Sequence, residues 1–272
     1  MFIEAMKNVR SQCPLTHCIT NYVTVNPCAN ALLAVGGSPI MADDIDEVAA
    51  ITSISRALVI NIGTLNSRTV KSMLKAGITA NEKNIPVVLD PVGAGASSLR
   101  DEAVAALLAK VKFTVIRGNI SEIKSVYDGS SQAHGVDVAL ADANIAPEKL
   151  AAFAQELSER TGAVIAITGK VDVVSNAAKS ALISNGSPLL SSITGSGCML
   201  SAITGAYVGA NSDNAWEAAV AATALMGLSG EVAAARAATN KVGLGSFNVY
   251  LLDALSQIDE AALKEGMKVE II

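Results

Sequence analysis

The sequence predicts an α/β protein built on a mostly parallel sheet, on three observations. Four short aliphatic runs each close on a polar residue. Helical patterns fill the intervals between them. Beyond Gly169, shorter apolar segments read as antiparallel strands added at the sheet edge.

The four runs are Ala57-Leu58-Val59-Ile60-Asn61, Pro86-Val87-Val88-Leu89-Asp90, Phe113-Thr114-Val115-Ile116-Arg117 and Ala163-Val164-Ile165-Ala166-Ile167-Thr168. Unbroken apolar runs of this length suit strands covered on both faces, as parallel strands are. Between them the pattern predicts helices over about 66–83, 100–111 and 147–161. Past Gly169, Asp172–Ser175 and Ala181–Ser184 read as edge strands. Asn185-Gly186 reads as a hairpin turn, and Leu189–Ile193 as a further strand-like stretch. From Cys198 to about residue 257 the pattern is almost wholly helical. With no linker, charge block or repeat to divide it, the chain reads as one domain, 1–272. Ligands in such sheets bind beyond the carboxyl ends of the strands, so Asn61, Asp90, Arg117 and Thr168 are expected along one rim.

Composition narrows the class of function. The chain has 272 residues, 51% of them hydrophobic, enough for a large core. A formal charge of −5 and an aromatic content of 3% argue against nucleic-acid binding. No uninterrupted apolar stretch reaches the roughly 18 residues of a membrane span. The first seven residues lack the pattern of a signal peptide. Cys13, Cys18, Cys28 and Cys198 have neither zinc-site spacing nor a need for disulfide pairing. These features predict a reduced, soluble, cytoplasmic protein. Alanine runs such as Ala218–Ala222 suit either a homo-oligomeric interface or close packing on the chain's own sheet.

Several motifs can carry chemistry. Gly195-Ser196-Gly197, just before a helix starting near Cys198, offers main-chain amides to an anion, or is only a tight turn. It does not complete a dinucleotide fingerprint, because Leu200 holds the third glycine position. Gly169-Lys170 is not a P-loop, because Val171 replaces the hydroxyl residue. Asp90, before Pro91, is either a cation-binding carboxylate or a turn residue. In Arg117-Gly118-Asn119-Ile120-Ser121-Glu122, Arg117 suits phosphate. Asn119 suits the loop or a metal-bound water, and Glu122 suits support of a cation. Ser121 reads equally as a plain helix cap. Thr168 can offer its hydroxyl to a nucleotide phosphate, with Lys170 and Asp172 in a solvated turn. His17 has no zinc-like partners, and Met41 is either core or the wall of a pocket for a flat ring.

Ile19-Thr20-Asn21, Ser38-Pro39-Ile40-Met41, Asn61-Ile62-Gly63-Thr64-Leu65, Asp90-Pro91-Val92-Gly93-Ala94-Gly95, Arg117-Gly118-Asn119, Ala166-Ile167-Thr168-Gly169 and Thr194-Gly195-Ser196-Gly197-Cys198 together resemble the hydroxyethylthiazole kinases, in family order across nearly the whole chain. The resemblance implies a ribokinase-like three-layer fold. It also implies transfer of the ATP γ-phosphoryl to the alcohol of 4-methyl-5-(2-hydroxyethyl)thiazole, a step of thiamine salvage. By the same resemblance, Met41, Gly195 and Asn21 contact substrate, Arg117 and Thr168 bind ATP with Asn119 beside them, and Asp90 and Glu122 are the acids associated with Mg²⁺. Gly195, Gly197 and Cys198 would form the catalytic turn. A homotrimer with active sites between subunits is implied too, bringing Asn21 and Met41 towards a neighbouring chain's site.

The chain has Cys198 where related ribokinase-like enzymes place an aspartate base, as hydroxyethylthiazole kinases typically do. It also has Leu244 where that family commonly carries proline. Cys198 is therefore a weak base, a shaper of the alcohol pocket, or a small buried hydrophobe. Competing functions are another ribokinase-like activity, such as a hydroxymethylpyrimidine kinase, and a nucleotide- or thiazole-binding module without turnover.

Overall fold

The computed structural model describes residues 2–129 and 145–272. In chain order the elements begin with α1 (Phe2–Gln12), β1 (Leu15–Ile19), α2 (Val25–Ala34), β2 (Ser38–Ile40), α3 (Val48–Ile54), β3 (Ala57–Asn61), α4 (Ser67–Glu82), β4 (Val87–Asp90) and α5 (Ser98–Lys110). There follow β5 (Val115–Asn119), α6 (Ile120–Gly129), α7 (Pro147–Thr161), β6 (Val164–Thr168), β7 (Asp172–Ser175) and β8 (Ser180–Ile183). The chain then runs through α8 (Ser196–Ala210), α9 (Ala215–Thr239), α10 (Leu244–Gln257), α11 (Glu260–Gly266) and β9 (Val269–Ile271).

The strands form one sheet in the order β2-β1-β3-β4-β5-β6-β7-β8-β9. Pairings from β2 to β6 are parallel, and those from β6 to β9 are antiparallel. Successive strand residues point to opposite faces, and here both faces are dry. Leu58 and Ile60, Leu89, Ile116 and Ile165 enter a core with α3 to α7. Val59, Val88, Val115 and Val164 enter a second core with α1, α2 and α8 to α11. The result is a three-layer α/β/α fold with antiparallel edge strands, the class the aliphatic runs predicted.

Three local readings need correction. Asn185-Gly186 is not a hairpin turn. The β7–β8 hairpin closes earlier, where Asn176 N–H donates to Lys179 O at 3.0 Å and Asn176 Oδ1 accepts from the amides of Ala178 and Lys179. Asn185 instead links the end of β8 to the C-terminal strand, donating to Gly266 O and accepting from Lys268 N–H. The stretch around Leu189–Ile193 is largely a 3₁₀ turn, Pro188–Ser192, because Pro188 has no N–H to give a strand ladder and fits the first position of a helical turn. Arg117 lies inside β5, two residues before its end.

Polar Thr16 and His17 interrupt the apolar pattern of β1. Both are fully buried. His17 bridges Thr52 Oγ1 at 2.9 Å and Ala42 O at 2.8 Å, and burial lowers its pKa. It is a hydrogen-bonded core residue tying β1 to α3.

The span Ser212–Thr239, which contains α9, is long and apolar enough by composition to cross a membrane, but most of it is buried inside the fold. Its Ala218–Ala222 run is covered by the chain's own core, so close packing accounts for that segment. Val232 and Ala235, nearer its end, stay exposed.

Helix α8 lies directly on β1, β3 and β4. Gly205 faces Val59 so closely that a Cβ there would collide with its side chain, and a Cβ on Gly209 would stand 3.1 Å from Arg56 O. The two glycines set the height of the helix over the strands. Gly205→Val is therefore expected to destabilise the fold by about 1–3 kcal/mol through overpacking, read by denaturant unfolding. An unchanged midpoint would show that the contact is not limiting.

Candidate active site

The parallel register puts Asn61 opposite Asp90, and Asn119 opposite Thr168, at the carboxyl ends of the central strands. The N-terminus of α8 points onto this rim. Gly195, its N-cap, has φ +90°, a left-handed conformation that glycine adopts without strain, and a Cβ there would lie 2.8 Å from Thr24 Cγ2. Gly197 is needed for space, since a Cβ would stand 2.9 Å from the Arg117 guanidinium.

Two opposite charges meet under this turn. Asp90 is fully buried. Its Oδ2 accepts from Asn61 Nδ2 at 2.8 Å and from Ser201 Oγ at 2.7 Å, and lies 3.6 Å from Arg117 Nη1. Its Oδ1 is buried without a hydrogen-bond partner. Burial raises the Asp90 pKa, and Arg117, Ser201 and Asn61 oppose the rise only in part. Arg117 donates to Thr168 Oγ1 at 2.9 Å, while its buried Nε donates to nothing. A guanidinium facing the positive end of a helix, incompletely neutralised by its acid, is a preformed demand for an anion. A free buried carboxylate oxygen beside it is a demand for a cation or a proton.

Asn119 and Glu122 form a reciprocal helix cap. Asn119 Oδ1 accepts from Glu122 N–H at 3.0 Å, and Glu122 Oε2 accepts from Asn119 N–H at 2.8 Å. The cap of α6 is thus Asn119 and not Ser121. Glu122 Oε1 also accepts from Gly93 N–H at 2.9 Å, so this carboxylate braces the loop after β4. Among the described residues, no group of three or more His, Cys, Asp and Glu side chains is placed to hold a metal ion. A hard cation bound chiefly through phosphate oxygens needs only one or two protein carboxylates, and the free oxygen of Asp90 fits that demand.

On the other side of Asp90, Asn21 and Asn61 each place Nδ2 3.2 Å from Cys198 Sγ. Cys198 is half-buried in the first turn of α8. Asn61 also lines a cleft of about 260 Å³, together with Met41, Thr64, Tyr22 and Val25. Asn21 thus contacts Asn61 and Cys198 of its own chain. Met41 lines this cleft and also packs against the core beneath it.

Sequence reasoning missed Ser201 and Arg100. Ser201 follows Gly197 by one helical turn, and that spacing was the available signal. Arg100, in the first turn of α5, donates to the carbonyls of Ile62 and Val92 and to that of Gly63 at 2.8 Å, joining the loops after β3 and β4. Asp172 is not simply a solvated turn residue. It accepts from Gly169 N–H at 2.8 Å, and burial pushes its pKa up to about 6.

The raised pKa of Asp90 has a stability consequence. The fold disfavours its ionised form, so the cost is present at neutral pH and disappears as pH falls through the folded-state pKa. Asp90→Asn is expected to keep or raise the Tm at about pH 7 and to flatten the acid side of the stability profile, in thermal unfolding followed from about pH 4 to 8. A Tm several degrees lower at neutral pH would show that the carboxylate is net stabilising.

A model of the hydroxyethylthiazole kinase family matches residues 6–261. The hydroxyethylthiazole kinase of Clostridium acetobutylicum is 51% identical over 272 residues, covering 99% of both chains. That of Ruminiclostridium cellulolyticum is 50% identical, covering 98% of this chain and 96% of its own. The solved hydroxyethylthiazole kinase of Pyrococcus horikoshii OT3 superposes with a TM-score of 0.88 at 36% identity, over 100% of this chain and 98% of that one. A pyridoxal kinase from Staphylococcus aureus shares only the fold, with a TM-score of 0.58 at 15% identity over 95% and 97% of the two chains. By the family model over residues 6–261 and identities of about half over nearly the whole chain, the chain belongs to the hydroxyethylthiazole kinase family.

Proposed function

We propose that the chain transfers the γ-phosphoryl group of ATP to the hydroxyethyl alcohol of 4-methyl-5-(2-hydroxyethyl)thiazole, a salvage step towards thiamine phosphate. The observation that carries this reading is the pairing of Arg117 with the Gly195–Gly197 turn above a buried Asp90 that keeps one oxygen free. Kinship over nearly the full length with hydroxyethylthiazole kinases supports the choice of acceptor.

In this reading Arg117 and Thr168 hold nucleotide phosphate, with Asn119 fixing the loop beside them. The amides at the start of α8 receive charge developing on the transferring phosphoryl. Asp90 holds Mg²⁺, and Glu122 supports it by fixing the Gly93 and Asn119 amides. When bound, Mg²⁺ neutralises phosphate charge. Met41, Asn21 and Gly195 frame the thiazole, and Cys198 faces its alcohol. A loose phosphoryl-transfer transition state asks little early proton removal, so a thiol is a sufficient neighbour. We further infer one cytoplasmic domain acting as a homotrimer, without nucleic-acid or membrane partners. Exposed Leu33, Tyr22, Val23 and Val249 are apolar surface that such an assembly would cover.

A coupled ADP-release assay is expected to show turnover with the thiazole alcohol and Mg²⁺, and little with a hydroxymethylpyrimidine or without the cation. Equal or greater turnover of the pyrimidine would replace the acceptor assignment, and ligand binding without ADP release would make the protein a binding module. Cys198→Ala is expected to lower kcat about 10-fold, less than the roughly 100-fold or more that a strong general base supplies, while Cys198→Asp stays active. Near-complete loss in Cys198→Asp would exclude proton abstraction at this position.

A further inference from the structure

Asn61 was placed on the rim by sequence, yet neither the family resemblance nor the proposed reaction gives it a task. It is 1% exposed, and its amide is fully engaged. Oδ1 accepts from Gly63 N–H at 2.9 Å and from Asn21 Nδ2 at 3.0 Å. Nδ2 donates to Asp90 Oδ2 at 2.8 Å and to Cys198 Sγ at 3.2 Å. Two donated and two accepted contacts use the whole capacity of a carboxamide. The main-chain N–H of Gly63 can only donate, so it fixes which end of the amide is oxygen. Nδ2 is thereby committed to the carboxylate and the sulfur.

We propose that Asn61 is the positioning residue of the phosphoryl-transfer centre, one amide that sets both the free oxygen of Asp90 and the direction of the Cys198 sulfur. Together with Ser201, it engages Oδ2 of Asp90 and leaves Oδ1 as the oxygen available to a cation. Together with Asn21, it presents N–H groups to the sulfur, so the sulfur's acceptor side faces the asparagines and any S–H bond is turned away from them. Other side chains fail for stated reasons. Leucine would leave the Gly63 amide without an acceptor and Asp90 short of a donor. Aspartate would set a second carboxylate about 3 Å from the first, where the two cannot both ionise. This inference rests on the kinase reading for the tasks of Asp90 and Cys198. The contact between Asn61 and the sulfur does not.

The experiment compares Asn61→Asp and Asn61→Ala with wild type in two measurements on folded, full-length protein. The first is the rate of Cys198 alkylation by iodoacetamide without substrate, read on its own peptide by mass spectrometry so that the exposed Cys13 does not interfere. Asn61→Asp is expected to slow it about 10-fold or more, because an oxygen replaces the N–H donor that the sulfur accepts, whichever of the two carboxyls keeps the shared proton. Asn61→Ala, losing one donor, is expected to slow it less. The second is steady-state kinetics, in which both variants should lose about 100-fold in kcat with less than about a 3-fold change in the KM for ATP, the mark of lost positioning. Wild-type alkylation rates in both variants, or a native kcat in either, would overturn the proposal. Should Asn61→Asp fail to fold, Asn61→Ala decides it alone. A wild-type protein inactive on the thiazole alcohol would sink the kinase reading, while the alkylation comparison would still decide whether Asn61 governs the sulfur.

Discussion

The site depends on how closely α8 approaches the sheet. Gly205 and Gly209 let the helix rest on β1 and β3 with almost no side chain between, and that height carries to the other end of the same helix. There Gly197 meets the Arg117 guanidinium without an intervening side chain, and Ser201 reaches Asp90 at 2.7 Å. A thicker interface would lift the helix start away from the strand ends and separate the anion-binding amides from the acid and the arginine. Small residues far from the chemistry thus fix its geometry, as expected where rigid elements place a site.

The same closeness explains why the centre is electrostatically unfinished. Asp90 and Arg117 are both buried, yet their nearest polar atoms are 3.6 Å apart, and each keeps one polar atom unpartnered. A fold selected for stability alone would complete such a pair or remove it. Here the incomplete pairing leaves a place for an anion on one side and a cation on the other, while burial keeps the pKa of Asp90 raised. Asn61 and Ser201, which donate to Asp90, are neutral groups, so they orient the carboxylate without quenching its charge.

The sheet's parallel middle was legible because apolar runs such as Leu58-Val59-Ile60 have no polar residue to confuse their period, and both faces are buried. What escaped was stabilised by polar groups meeting over long sequence distances. His17 interrupts β1 in sequence but is satisfied by Thr52 and Ala42. Asn185 looked like a turn residue because its partners, Gly266 and Lys268, lie some eighty positions away. In the site, Asp90, Arg117 and Thr168 were legible as residues near strand ends, while Ser201 and Arg100 were hidden because serine and arginine in a helix's first turns usually face solvent. The Asn119–Glu122 cap was written in the sequence at capping-box spacing, but Ser121 offered a more familiar cap between them.

Arg100 gives the site a property that its acids do not share. Its guanidinium is held by the carbonyls of Ile62, Gly63 and Val92, and no carboxylate is paired with it among the described ion pairs. Held only by neutral carbonyls, the guanidinium braces the two loops without an acid to quench its charge. Burial has raised the pKa values of Asp90 and Asp172, so each loses its charge earlier than a free aspartate as the medium acidifies. The brace behind the two loops thus involves no acid, and the buried carboxylates are the part of the site that the medium can tune.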